Sequence, residues 1–372
     1  MKVGFDAKRI FHNHTGLGNY SRGLVRDLVE FYGNYEVHLF TPKEQEITTN
    51  TLFQGLFPIH TASVKPSWYW RTFKMVKDIE KQGIDIYHGL THELPRGIEE
   101  SKVKGIVTVH DLIFKVYPKQ YKRLDTLIYN WKLQYACEAA DIIIAISEHT
   151  KKDIIKYYDI PAEKIKVIYQ TCDASFKIKR TPKIIAKTLQ KHDLPEDYLL
   201  YVGSIIERKN LLLLVQAMEK LTTEIPLVVV GNGKVYKKKI VDYIEKNNLK
   251  DRVIFLENVM NEDLPSLYQQ AKIFIYPSLY EGFGIPIIEA IFSETPVITT
   301  SESALPEAGG SFSNYVTGLD AKELSDKIEE VLSSPSKNKI AVEKSLEYAE
   351  SHFAPEITAK KLHQLYQAMS RR

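Results

Sequence analysis

Two glutamates that flank a glycine-containing segment form the strongest chemical pattern in this sequence. Glu281 precedes Gly282 and Gly284, Pro286 is suited to the first turn of a helix, and Glu289 lies one turn further on. Glycines let a backbone approach a ligand closely, and the amides at a helix start stabilise negative charge. An ionised carboxylate accepts two hydrogen bonds, so each glutamate suits a vicinal diol. The segment therefore predicts a site for an anionic ligand that carries hydroxyl groups.

A pair of adjacent cations, Arg208 and Lys209, follows the first apolar run of the second half of the chain. An arginine forms forked hydrogen bonds and a lysine supplies a point charge, so the two together can neutralise a diphosphate. Cations at a helix start are unfavourable unless an anion joins them. The pair therefore favours anion binding over the alternative, which is a solvated helix start.

Glycines and histidines in the first half suggest further ligand contacts. Gly16 and Gly18 precede a helical pattern and suggest a phosphate loop, although their distance from the first strand is wrong for a dinucleotide fingerprint. A flexible loop is the alternative. His110 ends a predicted strand, where it can hydrogen-bond a ligand or serve a structural role. His88 and His92 have the spacing of a helical metal pair, but they follow a strand, so we expect no metal there.

Short apolar runs alternate with helical patterns along the chain, which is typical of parallel α/β layers. The predicted strands of the first half are 2–5, 37–40, 84–88, 105–110, 141–147 and 164–169. A second series restarts with 198–204, 226–231, 252–257, 272–278 and 296–300. Ser147 is suited to cap the helix that follows its strand. The restart predicts two doubly wound sheets.

The restart also places the domain boundary near residues 173–195. We expect an N-terminal Rossmann-like domain over 1–175, joined by a C-terminal helix over 353–372, and a second Rossmann-like domain over 176–352. Ligands of doubly wound sheets bind at the carboxyl ends of the strands. The sequence therefore predicts an α/β protein with two domains that face each other across a cleft, and the cleft is the expected active site.

The composition argues against several classes of protein. The 372 residues are 44% hydrophobic and 26% charged, and a net charge of +3 is far below the basic excess of a dedicated nucleic-acid binder. Two cysteines cannot form a disulfide framework, and no Cys/His spacing resembles a zinc site. There is no signal-peptide pattern and no apolar run of membrane-spanning length. We therefore expect a cytoplasmic protein.

The string EGFGIPIIE, from Glu281 to Glu289, resembles the signature of the retaining GT-B glycosyltransferases of family 4. A strand-loop-helix turn with two incidental glutamates is the alternative, but it does not account for the whole string. In that family the first glutamate contacts the donor sugar and the second contacts the ribose. Arg208 and Lys209 resemble the family's phosphate-binding cations. The sequence contains no Asp-X-Asp triplet, which argues against the metal-dependent GT-A design.

The resemblance implies a set of site residues. The catalytic residues are His110, Arg208, Lys209 and Glu281. The donor-binding residues are Gly16, Gly18, Ser204, Val259, Gly282, Phe283, Gly284, Ile285 and Glu289. No metal and no cofactor are implied, because helix ends and cations stabilise the departing diphosphate. Many relatives have a glycine where this chain has Glu257, so the choice between a GDP-linked and a UDP-linked donor stays open.

The resemblance further implies transfer of a hexose, with mannose from GDP-mannose as the first expectation, to a glycan or lipid-linked oligosaccharide in surface polysaccharide synthesis. A nucleotide-sugar epimerase of the same architecture and a non-catalytic nucleotide-sugar sensor are the alternatives. Aromatic residues mixed with cations at 65–81 and 115–123 suit peripheral contact with the inner face of an anionic membrane. Core aromatics beside a solvated basic face would explain the same pattern. We expect no nucleic acid as a partner.

Overall fold

The computed structural model describes residues 1–13, 15–43, 53 and 55–370, which form two compact units. The first unit comprises Met1–Thr171 and Ala354–Arg372, and the second comprises Cys172–Phe353. Of the predicted C-terminal helix, residues 371 and 372 lie outside the described residues. Each unit has one parallel sheet with helices between its strands. None of the helices in the described part of the chain is long and apolar enough to cross a membrane.

The first unit contains a seven-stranded parallel sheet in the order β3-β2-β1-β4-β5-β6-β7. Its strands are β1 (Lys2–Asp6), β2 (Glu36–Thr41), β3 (Ile59–Thr61), β4 (Ile86–Gly89), β5 (Lys104–Val109), β6 (Ile142–Ala145) and β7 (Ile165–Val167). Its helices up to β7 are α1 (Lys8–His12), α2 (Gly16–Phe31), α3 (Ser67–Tyr69), α4 (Met75–Lys81), α5 (Ile113–Val116), α6 (Arg123–Ala139) and α7 (Glu148–Tyr158). A π-helix, Trp70–Lys74, lies between α3 and α4.

The second unit contains a six-stranded sheet in the order β10-β9-β8-β11-β12-β13. Its strands are β8 (Leu199–Val202), β9 (Leu227–Val230), β10 (Val253–Leu256), β11 (Ile273–Tyr276), β12 (Val297–Thr300) and β13 (Asn314–Val316). Its helices are α8 (Pro182–Lys191), α9 (Leu211–Met218), α10 (Val235–Lys246), α11 (Leu264–Gln270), α12 (Ile285–Phe292), α13 (Leu305–Gly309), α14 (Ala321–Leu332) and α15 (Pro335–Phe353).

The predicted strands correspond to eleven of these elements, and the two that were missed are β3 and β13. The central strands β9 and β11 are apolar along their whole length and fully buried, as expected for strands covered on both faces. In contrast, β3 and β13 lie at sheet edges, have three residues each and are mostly partly exposed. Their short mixed sequences lack the continuous apolar run by which the other strands were predicted.

The last helix of the chain packs on the first unit, and a predicted helix cap is present in the same unit. The last helix, α16 (Pro355–Ser370), buries Leu362 and Tyr366 in the core around β1, and the Tyr366 hydroxyl lies 2.7 Å from Nδ1 of His88. Ser147 caps α7 as predicted, because its Oγ accepts a hydrogen bond of 2.9 Å from the amide of Thr150.

A charged cluster is buried at the carboxyl end of β1. The Arg71 guanidinium forms ion pairs with both Asp6 and Glu93, and only 7% of Arg71 is exposed. Burial raises the pKa of Glu93, but Arg71 and Lys132 outweigh this effect and the net result is a pKa of about 2. All these charges remain paired in the folded chain, and the cluster holds the π-helix against the end of the sheet.

Candidate active site

The topology of the second sheet brings two predicted site segments together. Strands β8 and β11 are neighbours, but the chain continues from β8 to β9 on one side and from β11 to β12 on the other. The loops that follow β8 and β11 therefore diverge at the carboxyl edge of the sheet, where doubly wound folds bind their ligands. Arg208 and Lys209 lie in the first of these loops, and Glu281 lies in the second.

Glu281 is held by hydrogen bonds and by a close ion pair. Its Oε1 atom accepts from the Tyr276 hydroxyl at 2.8 Å and from the Ser278 hydroxyl at 2.9 Å. The same oxygen lies 2.8 Å from Nη1 of Arg208 and 4.0 Å from Nζ of Lys209. These contacts all involve one carboxylate oxygen, so the other can accept a hydrogen bond from a ligand.

Burial and charge act in opposite directions on Glu281. Burial alone would raise the pKa of this carboxyl group, but Lys209 and Arg208 lower it more, so the net pKa is below its ordinary value. The pKa of Lys209 is also lowered, chiefly by burial and further by Arg208, while Glu281 opposes the shift. The site therefore holds one carboxylate beside two cations, an arrangement that suits an incoming anion.

The two cations have different surroundings. Arg208 is buried, and its guanidinium also donates to the carbonyl oxygen of Tyr280, which ties the loop after β8 to the loop after β11. Nζ of Lys209 lies over the ring of Tyr276, 5.3 Å from its centroid. Because a lysine ammonium has three donors, Lys209 keeps hydrogen-bonding capacity for a ligand beside its contact with Glu281. Arg208 thus fixes the loops, and Lys209 is the better placed of the two to bind an anion.

Glu289 lies one turn inside α12, where a tyrosine hydroxyl holds it in place of the ion pair that holds Glu281. Its Oε2 atom accepts a hydrogen bond of 2.9 Å from the Tyr268 hydroxyl. Burial, reinforced by the charge of Asp173, raises the pKa of Glu289 to about 7. The two glutamates therefore differ in charge near neutral pH: Glu281 is ionised, whereas Glu289 is close to half-protonated.

The remaining predicted donor-binding residues of the second unit have different exposures. Gly284 takes a φ of 132° just before α12, and a Cβ atom there would lie 3.1 Å from Cβ of Ala308. The Phe283 side chain packs on Phe353 at 5.2 Å, so its ring belongs to the core. Of the others, Ser204 is exposed, Val259 and Ile285 are partly buried, and Gly282 is buried.

A glycine pair that sequence reasoning missed lies beside this cluster. A Cβ atom at Gly231 would lie 1.9 Å from the carbonyl oxygen of Gly203, and one at Gly233 would lie 2.3 Å from that of Ile205. The amide of Ile205 donates to the carbonyl oxygen of Asn232 at 2.8 Å. The loops after β8 and β9 therefore pack backbone against backbone. Two glycines directly after a buried apolar strand are the signal that could have identified this contact.

The structure corrects the interpretation of Gly16 and Gly18 as a loop. Both residues belong to the first turns of α2. The Gly18 amide donates to Thr15 and to Oδ1 of Asn13, and a Cβ atom at Gly18 would lie 1.9 Å from the Asn13 carbonyl oxygen. Gly18 is therefore required by local packing. A Cβ atom at Gly16 would meet nothing within 4 Å, so Gly16, unlike Gly18, has open space beside its backbone.

His110 is buried, and protein groups contact both of its ring nitrogens. Nε2 lies 2.9 Å from the carbonyl oxygen of Leu90, and Nδ1 lies 2.8 Å from Nε2 of Gln170. A carbonyl can only accept and the amide nitrogen can only donate, so the proton is on Nε2. Burial lowers the pKa of His110 to about 3, which makes the ring neutral. A hydrogen bond from this ring to a sugar therefore requires one of these partners to move.

Protein groups also contact the rings of His88 and His92, the pair with metal-like spacing in the sequence. Nδ1 of His88 contacts Tyr366, and Nε2 contacts Thr108 at 2.8 Å. The His92 ring stacks on His110 at 5.4 Å, and its Nε2 accepts from the His110 amide at 3.1 Å. Among the residues described, no group of three or more His, Cys, Asp or Glu side chains could hold a metal ion.

Two parallel Rossmann-like sheets, each in its own unit, give the chain the GT-B fold. Residues 14–176 match the family described as Glycosyltransferase Family 4, and residues 184–348 match the family described as glycosyl transferases group 1. The chain belongs to this glycosyltransferase family.

Mannosyltransferases are similar to this chain in sequence, and a solved structure is similar to it in fold. O-antigen chain mannosyltransferase B of Escherichia coli is 31% identical over 94% of this chain and 95% of its own length. O-antigen chain mannosyltransferase RfbU of Salmonella typhimurium is 29% identical over 62% of this chain and 61% of its own length. The crystal structure of Anabaena HepE in complex with UDP aligns with a TM-score of 0.78 at 18% identity, and the alignment covers 99% of this chain and 100% of that one.

Proposed function

We propose that this glycosyltransferase transfers mannose from GDP-mannose to a hydroxyl group of a growing or lipid-linked glycan, with retention of the anomeric configuration. The likeness to an O-antigen chain mannosyltransferase over nearly the whole of both chains supports the sugar and the polysaccharide product. The observation that carries the proposal is the cluster of Glu281, Arg208 and Lys209 at the carboxyl edge of the second sheet.

Each residue of the cluster takes a separate role in the proposed reaction. Lys209 binds the diphosphate and stabilises the negative charge that grows as the bond to the sugar breaks. Arg208 positions the loop and adds to the positive potential. The Glu281 oxygen that is not held by Tyr276 and Ser278 accepts a hydrogen bond from a hydroxyl of the donor sugar. Two cations beside one carboxylate supply the charge for this step, so we propose that no metal is needed.

Glu289 and His110 have supporting roles. The free oxygen of Glu289 accepts from the ribose diol, while Tyr268 holds the other. His110 is neutral and engaged by Leu90 and Gln170, which set the orientation of its ring, and we propose that it acts at the sugar ring once one of these partners has moved. We further propose that the protein works at the cytoplasmic face of a membrane, where a lipid-linked acceptor would be available.

The test is release of nucleoside diphosphate from a panel of GDP- and UDP-sugars in EDTA, with and without crude lipid-linked glycan. We expect release from GDP-mannose that depends on the acceptor. Lys209→Met should lower the rate by about a hundredfold or more. The matched control is Lys322→Met, which removes an exposed lysine from the same unit and should leave the rate unchanged.

Three outcomes would contradict the proposal. Donor consumption without acceptor and without a glycan product would indicate the epimerase. Tight donor binding without turnover in the presence of every acceptor fraction would indicate the sensor. Activity that disappears in EDTA and returns with a divalent cation would refute the metal-independent mechanism.

A further inference from the structure

Helix α6 presents an apolar stripe to solvent. Leu124, Leu127, Ile128 and Trp131 are spaced at i, i+3, i+4 and i+7, which places them on one face of the helix. Their exposed fractions are 67%, 66%, 43% and 45%, so each keeps a large part of its surface in water. Isolated exposed leucines are ordinary, but four large apolar side chains along one helix face mark an interaction surface.

The opposite face of α6 anchors the helix in its unit. Leu133, Ala136 and Cys137 are buried in the core that also contains Ile143 of β6. The helix therefore has two apolar faces, one packed and one open. The open face, defined here by Leu124, Leu127, Ile128 and Trp131, is called the α6 surface.

A second exposed aromatic segment adjoins the α6 surface. The Arg96 guanidinium lies 4.2 Å from the ring centroid of Trp131, and the Arg96 amide donates to the carbonyl oxygen of Thr72 at 2.7 Å. Thr72 belongs to the π-helix that follows Trp68, and Trp68 is 66% exposed. Arg96 thus connects Trp131 to the segment that carries Trp68.

Positive charge surrounds the stripe at its N-terminal end. Residues 115–124 contain four cations, Lys115, Lys119, Lys122 and Arg123, and no carboxylate. Three of these cations, those at 119, 122 and 123, are exposed. Asp125 follows this stretch in the first turn of α6, so four cations stand against one carboxylate at this end of the stripe. An apolar face bordered by an excess of cations is the pattern of a helix that lies in the interface of an anionic bilayer. A surface that binds a protein partner of mixed charge would carry similar numbers of cations and carboxylates around its apolar face, so the excess of cations here favours the bilayer.

We infer that the α6 surface docks the protein on an anionic lipid bilayer, with the stripe in the interface and the cations at the headgroups. This inference rests on the proposed function, because a lipid-linked acceptor lies in such a bilayer. The sequence suggested such a contact over 65–81 and 115–123. The cations of 115–123 border the α6 surface, whereas 65–81 exposes Trp68 but not Trp70. Trp70 of that segment is fully buried and donates to Asp78 at 2.6 Å, so it cannot contact lipid.

The test is co-sedimentation of the full chain with phosphatidylcholine vesicles, with and without phosphatidylglycerol. We expect binding to the phosphatidylglycerol vesicles, and we expect Leu124→Ser/Leu127→Ser to weaken it by about tenfold or more. The matched control is Val235→Ser/Leu319→Ser, since these side chains are 87% and 78% exposed in the other unit. The control should bind as the unaltered chain does.

Further measurements separate this inference from the proposed function. Donor turnover on a short, lipid-free acceptor should be unchanged in Leu124→Ser/Leu127→Ser, which also shows that the variant is folded. Turnover without any vesicle binding would overturn the docking inference and leave the proposed function standing. Vesicle binding without turnover would support the docking inference and count against the proposed function. Binding that ignores phosphatidylglycerol, or a dimer in light scattering that the leucine variant abolishes, would also overturn lipid docking, the latter in favour of a protein partner.

Discussion

The protonation of Glu289 gives the sharpest prediction about donor binding. Burial raises the pKa of this carboxyl group to about 7 from an ordinary value of 4.5, with a further contribution from Asp173. An ionised carboxylate accepts two hydrogen bonds from a ribose diol, whereas a protonated one has lost part of its accepting capacity. Donor binding should therefore favour the ionised form and strengthen as the pH rises through neutrality.

The size of the effect follows from the pKa. With a pKa of about 7, the ionised fraction falls from about nine-tenths at pH 8 to about one-tenth at pH 6. A ligand that binds only the ionised form would then bind about tenfold more weakly at pH 6, a difference of about 1.4 kcal/mol. Glu281 has a lowered pKa and remains ionised over this range, so it does not contribute to the slope.

Isothermal titration calorimetry with GDP, at pH 6 and pH 8, measures this dependence. Titration of the phosphate of GDP itself affects every protein variant equally, so the ratio of the two affinities is compared between variants. We expect a ratio about tenfold larger in the unaltered chain than in Glu289→Gln. Glu196→Gln, an exposed glutamate of the same unit, should behave like the unaltered chain. Equal ratios in the unaltered chain and Glu289→Gln would refute the reasoning.

The same shift has a consequence for stability. Because the folded pKa of Glu289 is about 7 and the ordinary value is 4.5, the folded chain keeps a proton that the unfolded chain has lost between these values. Stability therefore falls as the pH rises through this window, by about 3 kcal/mol in total. The decrease should be absent in Glu289→Gln when urea unfolding is measured at pH 5 and pH 8.

Three further predictions test the framework of the site. Arg71→Met removes the cation from the buried carboxylate at the end of β1, and urea unfolding should report a loss of about 3–5 kcal/mol; a loss below about 1 kcal/mol would contradict this. Gly231→Ala forces a contact with the neighbouring loop and should destabilise the chain, whereas Gly16→Ala, with open space at Cβ, should not. His110→Ala and Gln170→Leu disrupt one interaction, so the double variant should lose no more transferase activity than His110→Ala alone; additive losses would contradict the positioning role.

The features that the sequence predicts correctly depend on neighbours along the chain. Central strands appear as apolar runs because both faces of a parallel sheet are covered. The string from Glu281 to Glu289 is recognisable because a strand, a glycine loop and a helix start follow each other directly. Arg208 and Lys209 follow another such strand, so their place at the carboxyl edge follows from the α/β pattern.

The features that the sequence does not predict depend on contacts between distant residues. His110 is held by Gln170, which lies 60 residues away, and no local pattern connects the two side chains. Gly18 is required because Asn13 folds back on the start of α2, which spacing alone does not reveal. Trp70 is buried although Trp68 is exposed, because a helical pattern does not specify which face meets the core.

The electrostatics of the second unit explain why an anion completes the site. Lys209 and Arg208 face a single carboxylate, and Glu289 adds only part of a charge near neutral pH. Taking these cations out of water is costly, and burial accordingly lowers the pKa of Lys209. In the proposed reaction a diphosphate bound at the cluster offsets this cost, most fully when its negative charge is greatest, as the bond to the sugar breaks. We therefore propose that the excess positive charge of this cluster stabilises the transition state.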